Sequence, residues 1–213
     1  MYRKHMKINN IEELPILTLQ EIKNSIGGEY NMPWRRIAQE LIKKWKITPL
    51  KRWFYVSNDF LKYKQDAWYY YFLANQLYQP SYISWPTALD YYGIFSESAS
   101  WFFSVTTSKT ALYENTIGTF RYRNIKAELF QWYIRKKIWA YTIAFASPAK
   151  ALFDYFWYYK ERIQIVDKKI FESLRLNIER LSNKDVPEFW KYCKQSKSKK
   201  MISLYLLLKE ICG

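Results

Sequence analysis

The sequence predicts an α+β protein in two parts. Residues 1–65 read as a winged helix-turn-helix, and residues 66–213 as a mixed α/β domain with a small antiparallel sheet and C-terminal helices. Three observations lead there. Apolar side chains at Trp34, Ile37, Ala38, Leu41, Ile42 and Trp45 recur every three or four positions, the mark of one helix face. Between about Trp101 and Ala146 the chain turns to aromatic and β-branched runs such as Phe102-Phe103-Ser104-Val105-Thr106-Thr107. Ser147-Pro148-Ala149-Lys150-Ala151-Leu152 then opens a helix, with a serine cap and proline at the first helical position.

Taken in order, Thr18 and Glu21 in Thr-Leu-Gln-Glu form a capping box that starts a short helix with Leu19, Ile22 and Ile26 inward. Gly27-Gly28 stops it. Asn31 is a cap for the next helix, with Pro33 tolerated in its first turn, and this second helix ends near Lys46. Ile47 to Val56 reads as two short strands or a hairpin. Helix, turn, basic amphipathic helix and basic hairpin are the order of a winged helix-turn-helix. Polar residues around 58–66 mark the boundary. An aromatic helix follows from Ala67 to Leu77, closed by Pro80, and Ser84 starts another that Gly93 ends. In Thr119-Phe120-Arg121-Tyr122-Arg123 the alternation sets two arginines on one face and rings on the other. Lys137 to Ile143 reads as a further strand, with Arg135, Lys136 and Lys137 in a charged turn before it. Helices are expected at about 148–160, 167–181, 186–194 and 199–211, with 194–200 a solvated loop.

The 213 residues carry 34 Lys and Arg against 19 Asp and Glu, a formal net charge of +15 that favours a polyanionic partner: DNA, RNA or an anionic membrane surface. A cut at residue 65 leaves 13 basic and six acidic residues before it, 21 and 13 after it, so charge is denser in the shorter part. The 20 Tyr, 13 Phe and 10 Trp suit core and interface packing as well as nucleic-acid contact. No apolar run approaches the roughly 18–20 residues of a spanning helix, and no apolar segment follows the basic start, so no membrane role and a cytoplasmic location are expected. Cys193 and Cys212 lack metal-ligand spacing and read as two reduced thiols. His5 is the only histidine, which removes most Ser-His and Cys-His schemes. Asp90, Glu97, Glu128 and Asp154 form no metal-like cluster in sequence, and Asp154 reads as a buried hydrogen-bonding residue or as part of a functional surface, the structural role being favoured. Nucleotide-binding and esterase glycine motifs are absent. The reading is therefore no enzyme, no catalytic residue, no cofactor and no metal.

Four segments in order, "YISWPTALDYYGIF" (82–95), "FFSVTTSK" (102–109), "FRYRNI" (120–125) and "ASPAKALFDYF" (146–156), resemble the AbiEi family of antitoxin-type transcriptional regulators over about residues 14–160. The resemblance implies an N-terminal winged helix and an AbiEi-like C-terminal antitoxin domain. It also implies the antitoxin of a type IV, abortive-infection type toxin–antitoxin system, a repressor that binds DNA upstream of its own operon. The neighbouring gene would encode a nucleotidyltransferase-like toxin, whose effect is countered without a stable complex. The family's wing turns with Arg-Gly-x-Tyr, whereas this chain has Arg52-Trp53-Phe54-Tyr55, and positive φ would strain a tryptophan in the glycine's place.

The DNA-binding candidates follow from the basic helix face. Arg35, Arg36 and Gln39 lie in the N-terminal part of the helix and suit base edges, Arg pairing with guanine and Gln with adenine. Lys43, Lys44, Lys46, Lys51 and Arg52 suit phosphates, and Asn31 is counted with them at the helix start. Arg121 and Arg123 either extend the phosphate track or form an exposed strand face. The expected partner is double-stranded DNA at the protein's own promoter, an inverted repeat read by a dimer or by a cooperative pair on DNA. Two other readings stay open: a protein-binding antitoxin or adaptor using the aromatic second domain, and an RNA-binding module or RNA-modifying enzyme for which the sequence names no catalytic residues. A merely solvated helix face is the bland alternative for the basic helix.

Overall fold

A computed structural model describes residues 11–25, 33–63, 66–98, 100–138 and 141–212. The expectations for Ile26, Gly27, Gly28 and Asn31 lie outside the described residues. The chain is mixed α+β, with nine α-helices and two sheets of three and six strands among the described residues. It divides into two compact units: Met1–Leu73 with Tyr113–Thr119, and Ala74–Leu112 with Phe120–Gly213. The first unit thus runs past residue 65, into the middle of a helix.

In the first unit a 3-10 turn at Ile11–Glu13 precedes β1 (Leu17–Thr18), α1 (Leu19–Ser25), α2 (Trp34–Lys43), β2 (Ile47–Lys51), β3 (Phe54–Ser57), α3 (Asn58–Tyr63) and the start of α4 (Ala67–Leu77). The capping box forms as expected. The Thr18 amide donates to the Glu21 carboxylate, and the Glu21 amide to Thr18 Oγ1 at 3.3 Å. β2 and β3 pair antiparallel, Ile47 opposite Ser57, and β1 adds to β3 with Leu17 opposite Tyr55. Leu17, Ile22, Ile37, Ala38, Leu41, Ile47 and Tyr55 are buried together beneath that sheet, with Trp34 and Ile42 partly covered against them. The Tyr69 hydroxyl donates to the Pro15 carbonyl at 2.7 Å, which ties α4 to the chain entering β1.

α2 is shorter than its apolar spacing suggests. It ends at Lys43 with Lys44 as C-cap; the Trp45 amide donates to Ile42 O and the Lys46 amide to Leu41 O, both at 2.9 Å. This is a Schellman ending with a left-handed residue at C′, and Trp45 fills that position with φ +55. The left-handed turn carries the side chain off the stripe, so Trp45 is 82% exposed instead of buried.

The second unit holds β4 (Ser81–Ile83), α5 (Trp85–Tyr91), β5 (Phe102–Thr106), β6 (Ala111–Asn115), β7 (Gly118–Asn124), β8 (Ile134–Ile138), β9 (Tyr141–Phe145), α6 (Pro148–Tyr159), α7 (Lys169–Ser173), α8 (Asp185–Ser196) and α9 (Lys199–Cys212). The tip of the β6–β7 hairpin counts with the first unit. The sheet order is β6-β7-β5-β4-β9-β8. It is larger than the small antiparallel sheet expected, and mixed: β5 runs parallel to β7 and β4 parallel to β9. The single strand expected over 137–143 is a hairpin of β8 and β9. Arg135, Lys136 and Lys137 lie inside β8, the edge strand, where charges discourage further pairing.

Gly93 does end α5: at φ +69 it lets Ile94 N reach Leu89 O at 2.8 Å. Ser147 caps α6, accepting from the Lys150 amide at 3.1 Å. The helix expected over 167–181 is only the five residues of α7 plus a 3-10 turn at Ile178–Arg180, and most of the 194–200 run is helical, broken by left-handed Lys197.

α6 carries a fully buried ion pair between Lys150 Nζ and Asp154 Oδ1. The other carboxylate oxygen accepts from the Tyr82 hydroxyl at 2.8 Å and Ser84 Oγ at 2.7 Å. Burial pushes the Asp154 carboxyl up and the Lys150 ammonium down, and their mutual attraction opposes both shifts. Asp154 thus has the structural role expected of it, joining β4 and the start of α5 to α6.

Candidate nucleic-acid interface

The amphipathic split of α2 builds the site. Ile37, Ala38 and Leu41 turn inward, while Arg35, Arg36, Gln39 and Lys43 are exposed on the other side. Among the described residues the side chains of Arg36, Gln39, Lys43 and Lys44 make no hydrogen bond or ion pair, so their donors face water.

The β2–β3 turn completes this surface. Trp53 has φ +65, the left-handed conformation in which a glycine would be unstrained. The Arg35 guanidinium lies 4.9 Å from the Trp53 ring and that of Arg52 lies 5.1 Å from it. Trp53 therefore links helix and hairpin by flanking cation–π contacts. Arg35, Gln39, Arg52 and Trp53, over the floor of Ala38, Ile42 and Tyr55, line one shallow cleft. Sequence reading marked Trp53 as standing where the family has a glycine, with a shorter wing or packing against the second domain as its expected consequence; the signal for the role seen here is a tryptophan between two basic elements.

The other candidates are placed differently. Lys46 is exposed but paired with Asp59 at 3.3 Å, whose carboxyl is held below the ordinary range by hydrogen bonds from Lys62 and from Lys46 itself. Lys51 is half-buried, its Nζ 4.4 Å from the Phe54 ring and 5.7 Å from the Tyr113 ring, and burial lowers its pKa. Both therefore offer less free charge than the sequence suggests. Arg121 and Arg123 belong to the second unit and share one face of β7, as the alternation predicts, with Phe120 and Tyr122 buried on the other. They are half-buried, Arg121 over the Trp101 ring at 3.6 Å and Arg123 over the Tyr158 ring at 5.0 Å. The alternative of a freely exposed strand face does not describe them.

Exposed Trp45, at the C-terminal end of α2 among Lys43, Lys44 and Lys46, was missed because its spacing fits the apolar stripe. Among the described residues no group of three or more His, Cys, Asp and Glu side chains comes together to hold a metal ion, and no helix is long and apolar enough to cross a membrane. No protein-family model matches the sequence, and no curated protein matches it.

Proposed function

We propose that the protein is a cytoplasmic, sequence-specific DNA-binding autoregulator in which the first unit is a winged helix and α2 its recognition helix. In keeping with the AbiEi resemblance, it acts as the antitoxin of a type IV toxin–antitoxin system whose toxin is nucleotidyltransferase-like. The observation that carries the DNA reading is α2 itself: one side is buried and the other exposes Arg35, Arg36, Gln39 and Lys43, of which Arg36, Gln39 and Lys43 make no hydrogen bond or ion pair among the described residues. The element order supports it, with α1, α2 and then a β2–β3 hairpin whose returning strand takes β1 as its neighbour. Arg35, Arg36 and Gln39 read base edges, while Lys43, Lys44 and Arg52 hold phosphates.

The test is a gel shift with the DNA upstream of the protein's own gene, titrated with salt and competed with random duplex. Retention of the promoter over competitor, lost in Arg36→Ala, is the expected result. Equal competition by random duplex would refute specific reading.

One observation favours a second reading, direct contact with a partner protein: Trp45 is 82% and Tyr63 85% exposed. Co-purification with the product of the adjacent gene, abolished by Trp45→Ala, would favour that reading over DNA.

A further inference from the structure

The β4 and β9 strands part company at one end, and a cleft opens there. Their parallel pairing brings Ile83 opposite Phe145, and the Ala146 amide donates to Ile83 O at 2.8 Å. Two residues earlier on β9 the Ala144 amide donates instead to Asn75 Oδ1, at 2.7 Å, from α4. The asparagine side chain stands in for the missing strand neighbour. Because the Ala144 N–H must meet an acceptor, the amide orientation of Asn75 is fixed, and its Nδ2 is the atom left over.

That Nδ2 makes no hydrogen bond although Asn75 is only 6% exposed, and neither does Ser81 Oγ at 8% exposure. Both residues line a cleft of about 550 Å³, together with Gln76, Gln79, Tyr133, Arg135 and Thr142. Buried polar side chains without partners are rare, each costing about 1–3 kcal/mol. Two on one wall are a conspicuous exception. Arg135 is exposed on edge strand β8, and its guanidinium has no acidic partner among the described residues. Register places Arg135 opposite Ala144, so its side chain shares a face of the sheet with that of Ala144, which also lines the cleft. Tyr133 is held by stacking on buried Tyr82, centroids 4.8 Å apart.

We propose that this cleft binds a phosphorylated small molecule of about mononucleotide size, its phosphate oxygens accepting from Asn75 Nδ2, Ser81 Oγ and Arg135. Three features select this chemistry. The lining offers amide, hydroxyl and guanidinium donors and no carboxylate, so it attracts anions and repels no negative charge. The three terminal oxygens of a phosphate monoester can each meet one of the three donors, and a planar guanidinium suits phosphate bidentately. The volume lies in the range of small-molecule and cofactor sites, several times what a free phosphate occupies. The site is independent of the DNA reading of α2.

Isothermal titration of the full chain with AMP, ribose 5-phosphate, adenosine and a random DNA duplex tests it. Saturable binding of AMP and ribose 5-phosphate is expected, with none of adenosine. Arg135→Ala is expected to weaken that binding by at least ~10-fold, the loss of a charge-assisted contact. Ser81→Ala should weaken it more modestly, and Lys209→Ala, exposed on α9 and outside the cleft lining, should leave it unchanged. Far-UV circular dichroism shows that each variant folds. Adenosine binding as well as AMP, AMP binding untouched by Arg135→Ala, or no binding of either phosphate compound would overturn the proposal. So would a response confined to the duplex and lost in Arg135→Ala, which would make the cleft a nucleic-acid contact.

Discussion

Replacing Asp154 by asparagine should be among the most damaging single changes in the second unit, because it strands a charge. Lys150 and Asp154 are both fully buried in α6, and the same carboxylate accepts from Tyr82 and Ser84. Asparagine keeps the shape and can still accept from one of those hydroxyls, but leaves the Lys150 ammonium without a counter-charge. Breaking a buried pair in this way costs about 3–5 kcal/mol. A second route gives the same ceiling. The variant can shed the Lys150 proton, which at pH 7 lies about 3.4 units below the ordinary lysine pKa, so neutralisation costs at most about 4.6 kcal/mol. The rings of Phe153, Tyr82 and Tyr192 lie 5.0, 5.3 and 5.8 Å from Lys150 Nζ and soften the penalty, so the lower half of the range is expected.

The assay is urea unfolding followed by circular dichroism, in which about 3 kcal/mol moves the midpoint by about 1–3 M. The pH dependence identifies the mechanism. In Asp154→Asn the folded-state pKa of Lys150 falls below its unfolded value, so the unfolded chain binds more protons and stability rises with pH. Between pH 7 and 9 the variant should regain stability relative to the parent by up to about 1.4 kcal/mol per unit. Lys150→Met with Asp154→Leu removes both charges and should be at least about 2 kcal/mol more stable than Asp154→Asn. A single variant within about 1 kcal/mol of the parent at pH 7, or a double variant no better than the single, would refute the stranded-charge reasoning.

Other expectations follow from the surfaces. Arg36→Ala should weaken promoter binding by about 1–3 kcal/mol and relax specificity, whereas Lys43→Ala should weaken all duplexes alike and reduce the salt slope by about 0.9, both read by gel shift. Trp53→Gly should be more stable than Trp53→Ala by about 1 kcal/mol in urea unfolding, since alanine keeps the left-handed strain and glycine does not. A thiol reagent should react with Cys212 alone in the folded protein, because Cys193 is fully buried and Cys212 is exposed, although burial raises both thiol pKa values; Cys212→Ser should abolish the reaction.

What was legible in the sequence was what short-range physics decides. The Thr18–Glu21 box, the Gly93 stop and the Ser147 cap each close within a few residues, and each forms where the sequence places it. The basic face of α2 was legible for the same reason, since one helical period suffices to sort it. The α6 pair was half legible: Lys150 and Asp154 stand four apart, but the hydroxyls completing the site come from Tyr82 and Ser84, 72 and 70 residues away from Asp154. Parallel pairing of β4 with β9 joins the first and the last strand of that sheet in sequence, and no local pattern announces it. The cleft at their divergence was invisible because Asn75 and Ser81 are ordinary residues until β9 loses its neighbour there. Arg135 looked like part of a turn because an edge strand tolerates charge as a loop does.

Left-handed backbone is where sequence reading fails most sharply, and it isolates one residue. The chain has only five glycines, and four of its described non-glycine residues at positive φ are tryptophans: Trp45, Trp53, Trp85 and Trp132. Three have compensating contacts: Trp53 with Arg35 and Arg52, Trp85 with the Tyr158 ring at 4.2 Å, and Trp132 with the Tyr192 ring at 5.0 Å. Trp45 has no ring or cation contact among the described residues, and most of its surface is in water. Its left-handed strain of about 1–2 kcal/mol is offset only by the freedom an unfolded glycine would have, about 0.5–1 kcal/mol. Trp45→Gly should therefore stabilise the protein by about 0.5–1 kcal/mol, a rise of about 1–4 °C in Tm. Strain kept without packing in return points to a role in contact. On the DNA reading the same variant should bind promoter more weakly, with Lys43 and Lys44 still present to hold phosphates. A destabilised Trp45→Gly would show that the tryptophan is structural, and a stabilised variant with undiminished binding to DNA and to any partner protein would remove the case for contact.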